Sequence, residues 1–234
     1  MRVLVVAAHP DDEVLGCGGT IARLTEEGHD VSIVIVGEGI TSRLAGEDDT
    51  VSAELRALRE DGRRAASDLG VSDLRFLGFP DNRLDTVPLL DVVKSVEAVL
   101  GDVRARAVLT HHGGDLNVDH QVVHRAVLTA TRPTRGESVT DVLAFEIASS
   151  TEWAFQQFEP AFRANLFVDV EATLERKIAA LRRYEGEVRE FPHPRSPEAL
   201  RAIAARWGGA TGTRAAEAFE LIRGIRRIGD GPVL

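Results

Sequence analysis

The sequence predicts an α/β fold in which a mostly parallel sheet carries helices on both faces and an active site at the carboxyl ends of its strands. The apolar run at residues 3–8 is β-branched and does not alternate, which is typical of a strand buried on both faces. A helical pattern and a second such run, residues 31–36, follow it. Clusters of histidine and aspartate come directly after two predicted strands, where open α/β sheets bind their ligands.

Length and charge restrict the classes of function. The 234 residues are 44% hydrophobic and 28% charged, which suits one domain over residues 1–234, and we find no repeat or linker that indicates a second. The formal net charge of -9 argues against a nucleic acid or an anionic membrane as the main partner. We therefore expect a small-molecule substrate.

Cysteine content and the amino terminus bear on location. Cys17 is the single cysteine, so the chain forms no internal disulfide and no thiolate zinc cluster. The first apolar run lacks the features of a signal peptide, and no run reaches membrane-spanning length. We expect a cytoplasmic protein.

The remaining segments alternate between strand and helix patterns for two thirds of the chain and then become mixed. A polar segment at 37–50 leaves the carboxyl edge of strand two, and we interpret it as a mobile loop that serves as a lid. The predicted helices are 19–27, 51–69, 88–100, 121–131, 170–189 and 197–206; the later predicted strands are 73–79, 107–110, 141–148 and 164–170; 80–85 is a turn, 191–196 a stiff loop and 215–225 a closing helical or mixed segment.

The two polar clusters contain the candidate chemistry. His9, Asp11 and Asp12 follow strand one, and a second cluster at 111–120 follows a later strand. His9, Asp12 and one histidine of the second cluster supply two nitrogens and one oxygen, a ligand set that holds catalytic zinc and leaves a position for water. Zinc lowers the pKa of that water to roughly 7, and Asp11 is then placed to accept its proton.

Several of these residues also have simpler interpretations. An acidic turn after a strand is common, so the first cluster indicates a metal site only in combination with the second cluster. His111 and His112 are candidates for contact with the metal or substrate, although histidines at the surface or at a strand end more often have no catalytic role. His124, four residues after His120, favours a role in packing or in supporting a ligand from behind, because no HExxH motif accompanies it. Cys17 is expected to be a small buried side chain at a helix start.

Longer motifs resemble a known family. The segments AHPDDEVLGCGGTIA, GFPDNRLD and DLNVDHQVVHRAV, with EIASSTEW, KIAALRRYEGE and HPRS downstream, resemble the PIG-L/LmbE-like family of zinc-dependent N-deacetylases. That family acts on N-acetylglucosamine-type groups of glycolipids, glycoconjugates, thiol cofactor precursors and antibiotics. The resemblance spans nearly the whole chain and implies a Rossmann-like three-layer fold.

The resemblance also implies roles for individual residues. It makes Asp11 the general base, and Asp119 a residue that orients a neighbour or tunes the metal. Asn117 stands where many members carry a histidine that stabilises the oxyanion, so this chain departs from the family there. The implied metal ligands are His9, Asp12 and His120, with Zn²⁺ or another divalent ion such as Fe²⁺. An arginine of the segment 56–60 resembles a substrate-contacting arginine of the family, and which one is left open; the candidate substrate-binding residues are Arg56, Asp81, Asn82 and His193.

These implications lead to one expected function and three rivals. We expect a zinc-dependent hydrolase that removes the acetyl group of an N-acetylglucosamine-type sugar, with His193 as an alternative proton donor to the leaving amine. The rivals are a metal-dependent hydrolase of another bond such as a phosphoester, a non-catalytic sugar-binding module, and a nucleotide-binding protein, which the glycine spacing at 16–19 disfavours. The exact substrate is left open, as is assembly into a homo-oligomer.

Overall fold

The computed structural model of the chain describes residues 1–40, 42, 49–134 and 139–226, and these residues build one sheet with helices on both faces. The strand order across the sheet is β3-β2-β1-β4-β5-β7-β6. The strands are β1 (Arg2–Ala7), β2 (Asp30–Gly37), β3 (Asp73–Phe79), β4 (Ala107–His111), β5 (Asp141–Phe145), β6 (Leu166–Asp169) and β7 (Ala216–Gly224).

Strand β1 lies at the centre of the parallel part of the sheet. Val3 pairs with Val31 of β2 on one side and with Ala107 of β4 on the other, and both pairings are parallel. The chain order reverses across β1, and such a switch point opens a crevice at the carboxyl ends of the strands. The two predicted polar clusters, which follow β1 and β4, therefore meet at one edge.

The helices form two layers. Side chains of β1 alternate between them, with Val5 on one face and Val6 on the other, both fully buried, which explains the unbroken apolar run. The fold-class prediction is confirmed. One layer contains α1 (Asp12–Glu26), α2 (Asp49–Asp68), α5 (Leu174–Leu181) and α6 (Pro197–Thr211), and the other contains α3 (Leu89–Val103) and α4 (Val118–Ala130).

Helix α1 begins earlier than predicted. It starts at Asp12 instead of residue 19, because Asp11 adopts a left-handed conformation (φ 106°) and its carbonyl accepts hydrogen bonds from Val14 and Leu15. Cys17 is buried, as predicted, but it lies at a kink inside the helix. At Gly16 an added Cβ would come within 2.3 Å of the Phe145 ring, so glycine allows α1 to pack closely on the sheet.

The closing segment is a strand, and the prediction of a helical or mixed segment at 215–225 is wrong. Strand β7 lies between β5 and β6 and is antiparallel to both. Its two glutamates gave the segment the polarity of an amphipathic helix, yet both are buried and paired. Glu217 pairs with Lys177 at 2.6 Å and Glu220 with His112 at 2.7 Å, so each carboxylate has a nitrogen partner on a neighbouring element.

Other boundaries also differ from the predictions. The helical pattern at 170–189 forms only the eight residues of α5, and 3-10 turns occupy Leu84–Thr86 and Glu152–Ala154. Half of the predicted lid at 37–50, namely residues 41 and 43–48, lies outside the described residues, so its role stays a prediction. Among the described helices, none has both the length and the apolar character needed to cross a bilayer.

Candidate active site

The turn after β1 brings His9 and Asp12 together. Asp12 Oδ2 accepts a hydrogen bond of 2.8 Å from the backbone N–H of His9 and lies 3.2 Å from His9 Nδ1. Asp12 is buried, while His9 is 12% exposed. The same turn therefore holds one imidazole and one carboxylate against each other at the carboxyl edge of the sheet.

His120 reaches this pair from the first turn of α4. Asn117 caps that helix by accepting a hydrogen bond of 2.8 Å from the N–H of Asp119, and His120 Nε2 then lies 3.2 Å from Asp12 Oδ2. His9, Asp12 and His120 each offer a ligand atom, and these atoms lie within 4.8 Å of one another. The structure thus brings together the three residues that the sequence suggested as metal ligands.

The donor set fits a divalent metal ion. Both ring nitrogens of His120 are buried, and within the described part of the chain neither makes a hydrogen bond of acceptable geometry, although each lies near a carboxylate. Buried polar atoms are rarely left without a partner unless an ion or water completes the site. Two imidazole nitrogens and one carboxylate oxygen with an open position form a ligand set of the kind that holds catalytic zinc.

Charges inside the cluster shift the pKa of each member. Burial lowers the pKa of His9, but hydrogen bonds to Asp119 and Asp12 outweigh burial and raise it to about 10. Burial also lowers the pKa of His120, but the charge of Asp12 and the contacts with Asp115 outweigh burial and raise this pKa to about 9. The pKa of Asp12 lies well below its usual range, because the nearby His120 and His111 outweigh its burial. In the metal-free protein, protons thus occupy the nitrogens that would bind the ion.

Two further carboxylates hold the outer sides of the histidines. Asp119 Oδ2 lies 3.0 Å from His9 Nε2, and its Oδ1 accepts a hydrogen bond of 2.9 Å from the N–H of Leu84. Asp115 Oδ1 lies 3.0 Å from His120 Nδ1. A carboxylate behind a ligating histidine fixes the ring and its tautomer. The position of Asp119 fits the orienting role implied for it.

Asp115 is a site residue that the sequence analysis does not predict. It is fully buried and accepts hydrogen bonds from the hydroxyls of Ser150 and Thr151, at 2.6 Å for Thr151. Its place in the DLNVDH motif, five residues before His120, is the signal that could have identified it.

Asp11 lies beside the metal ligands but contacts a different group. Arg195 Nη1 donates a hydrogen bond of 2.7 Å to Asp11 Oδ2 and another of 2.9 Å to Glu187 Oε2. Burial raises the pKa of Asp11 well above its usual value, and Arg195 opposes that rise. Sequence reasoning did not identify Arg195 or Glu187, although HPRS, which contains Arg195, was among the segments that carried the family resemblance.

A small cavity of about 100 Å³ opens in front of these groups. Asn117 Nδ2 donates a hydrogen bond of 3.1 Å to Asn82 Oδ1, and Asn82 Nδ2 donates one of 3.2 Å to Asp81 Oδ1. These three predicted site residues therefore form a polar chain along the cavity. Its lining residues are His9, Pro10, Asp11, Gly39, Asp81, Asn82, Asn117, His120, Ser149, Ser150, Glu187 and Arg195.

Two other predicted substrate contacts do not line this cavity. Arg56 lies exposed on α2. His193 packs edge-on against Trp153 at 5.6 Å and accepts a hydrogen bond of 3.1 Å from the N–H of Arg195. The roles suggested for Arg56 and His193 stay predictions.

His111 and His124 are buried packing groups near this cluster. The His111 ring stacks on His120 with centroids 4.0 Å apart, and its Nε2 accepts a hydrogen bond from the N–H of Ala8. His124 Nδ1 contacts the His111 carbonyl oxygen at 2.8 Å. His111 therefore supports a candidate ligand from behind, and His124 has the packing role that its spacing favoured.

Comparison with known proteins places the chain in a family. A model of the PIG-L family, described as GlcNAc-PI de-N-acetylase, matches residues 4–131. The chain belongs to the PIG-L family. The diacetylchitobiose deacetylase of Thermococcus kodakarensis is 30% identical over 237 residues, covering 96% of this chain and 84% of that protein.

Solved structures share the fold. The N,N'-diacetylchitobiose deacetylase of Pyrococcus horikoshii superposes with a TM-score of 0.74 at 21% identity, over 95% of this chain and 84% of that one. GalB of Pseudomonas putida, a 4-carboxy-2-hydroxymuconate hydratase, superposes with a TM-score of 0.70 at 22% identity, over 99% of both chains. The PIG-L fold therefore also occurs in a protein named for a different reaction, and function has to be argued from the site.

Proposed function

We propose that this PIG-L protein is a metal-dependent amidohydrolase that removes the acetyl group from an N-acetylglucosamine-type sugar or glycoconjugate, with zinc as the metal. The observation that carries this proposal is the convergence of His9, Asp12 and His120 beside the separate carboxylate of Asp11. The relatives named as deacetylases support the reaction class. The small cavity in front of the cluster suits an acetamido group, with the sugar outside it.

The candidate metal ligands and Asp11 have different roles in the proposed reaction. Zinc held by His9, Asp12 and His120 would polarise the amide carbonyl and acidify a water molecule. Asp11 removes a proton from the attacking water and returns it to the amine as the C–N bond breaks, which yields acetate and the free amino sugar.

In this proposal Asn117 is the hydrogen-bond donor that stabilises the oxyanion formed during the reaction. The Oδ1 atom of Asn117 caps α4, and its Nδ2 donates one hydrogen bond to Asn82 Oδ1. A side-chain amide NH₂ carries two hydrogens. Among the described residues only Asn82 accepts from this amide, and the second hydrogen would stabilise the oxyanion in place of the histidine that many members of the family use.

The direct test is an assay of the purified chain against a panel of N-acetylated sugars. We expect the release of equal amounts of acetate and free amine, loss of activity with a chelator, and recovery on adding Zn²⁺. Asp11→Asn should lower turnover by about 10² to 10⁴ and leave metal binding intact, because it removes the general base. Asp91→Asn, an exposed aspartate on α3, is the matched control. Unchanged turnover in Asp11→Asn would eliminate it as the base.

A second candidate is addition of water to a carbon–carbon double bond, as the name of GalB indicates for that protein. The same ion and base would serve that reaction. Incubation with 4-carboxy-2-hydroxymuconate and with N-acetylglucosamine in parallel separates the two, because only deacetylation releases acetate.

Location and assembly complete the proposal. We place the enzyme in the cytoplasm, which cell fractionation tests. A homo-oligomer is compatible with the sequence, and light scattering on the purified chain measures the assembly.

A further inference from the structure

Asp11 is surrounded by acidic groups and needs a cation beside it. Asp12 and Glu13 follow it directly in the chain, and Glu187 approaches from the last third. Among the described residues, Arg195 is the arginine or lysine that contacts the Asp11 carboxylate. The side chain of Arg195 is only 20% exposed, so solvent screens this ion pair incompletely.

Arg195 is held from several directions. Its Nη1 contacts Asp11 and Glu187, and its Nε donates a hydrogen bond of 2.8 Å to Ser149 Oγ. These partners come from the turn after β1, the segment after α5 and the turn after β5. A planar guanidinium that meets three separated acceptors has one orientation, which a flexible lysine ammonium does not reproduce.

A second set of contacts fixes the backbone of Asp11. Glu13 Oε2 accepts a hydrogen bond of 3.1 Å from the N–H of Asp11, and Glu13 Oε1 accepts one of 2.6 Å from the hydroxyl of Tyr184. Glu13 and Tyr184 are almost completely buried. The left-handed conformation of Asp11, uncommon for a residue with a side chain, is thus held by the same region of the chain that supplies Arg195.

We infer that Arg195 is a positioning residue for the hydrolytic reaction: it holds the Asp11 carboxylate in the orientation from which Asp11 takes a proton from water. The inference rests on the proposed function, because it gives Asp11 the role of base. Arg195 and its partner Glu187 lie beyond residues 4–131, the part that the family model matches. The last third of the chain therefore contributes to catalysis through the base as well as to the cavity wall.

The first test separates turnover from substrate binding. Arg195→Ala should lower kcat about 100-fold, near the lower end of what a general base contributes, with KM within about threefold and one metal ion still bound per chain. Arg195→Lys should recover only part of the lost kcat, because lysine keeps the positive charge but lacks the planar guanidinium that meets several acceptors at once. Arg201→Ala is the matched control, since Arg201 pairs with exposed Glu175 on the protein surface and should keep full activity.

The second test asks whether Arg195 acts through Asp11. In an Asp11→Asn background, adding Arg195→Ala should lower kcat by less than about a further threefold, because the carboxylate that Arg195 orients is already gone. Guanidinium salt added to Arg195→Ala should restore kcat at least about tenfold, and it should restore nothing in Asp11→Asn. Full additivity of the two substitutions, or absence of rescue, would overturn the positioning role.

A third variant guards against a failure to fold. Glu187→Gln keeps the shape of the side chain and one acceptor oxygen but removes the charge that anchors Arg195, and we expect kcat to fall several-fold with KM unchanged. The activity of the wild-type protein distinguishes a failure of the proposed function from a failure of the positioning role of Arg195. An inactive wild type on every N-acetylated sugar refutes the proposed function, whereas an active wild type with fully active Arg195→Ala and Glu187→Gln variants refutes this inference alone.

Discussion

Metal binding should release about two protons, and this number follows from the histidine pKa values. In the metal-free protein the pKa of His9 is raised to about 10 and that of His120 to about 9, so both rings are imidazolium at pH 6.0. An ion needs a lone pair on one nitrogen of each ring, and binding must displace one proton from each. Asp12 contributes none, because its pKa already lies well below its usual range.

Isothermal titration calorimetry measures the release. Zinc is titrated at pH 6.0 in buffers with different ionisation enthalpies, and the slope of the observed heat gives the number of protons. At this pH a zinc-coordinated water, with a pKa of roughly 7, stays mostly protonated and adds little to the count. The affinity should also rise about 100-fold per pH unit, since two protons compete with the ion.

The control for this measurement is His29→Asn, which removes a partly exposed histidine outside the site and should leave the proton count unchanged. A count near zero for the wild type would refute the reasoning, because it would mean that the ion binds elsewhere or that the two rings are already neutral.

Two further predictions concern buried charges. Asp115→Asn should weaken zinc binding about 10- to 100-fold in a competition assay with a chelating dye, because His120 loses the carboxylate that orients its ring, and unchanged affinity would contradict this. Lys177→Met should lower the free energy of unfolding by about 3 kcal/mol in urea denaturation, because Glu217 keeps its charge in a buried site. Adding Glu217→Gln should recover part of that loss; a double variant as unstable as the single one would show that the pair's charge is not the cause.

Local pattern was sufficient to predict the centre of the fold and to suggest His9, Asp12 and a histidine of the second cluster as ligands, and the family resemblance selected His120. The β1 run is apolar on both faces because both faces are buried, and this property is readable without knowledge of the rest of the chain. His9 and His120 each follow a recognisable strand, so the topology of a parallel sheet was enough to bring them together.

Arg195 and strand β7 were missed because their contacts are distant in sequence. Arg195 meets Asp11 across 184 positions, and nothing in the local pattern of a proline-rich loop indicates that partner. Strand β7 was mistaken for a helical segment because Glu217 and Glu220 look solvent-facing until Lys177 and His112 are placed beside them. Tertiary pairing overrides local polarity at both places.

The most direct test of the account is a crystal structure of the zinc-loaded protein with anomalous scattering measured at the zinc edge. We predict a single strong peak at about 2.0 to 2.2 Å from one atom each of His9, Asp12 and His120, with Asp11 not bound to the ion. A peak that lacks either histidine, or a zinc ion bound by Asp11 in place of Asp12, would contradict the assignment of ligands and base on which the proposed reaction depends.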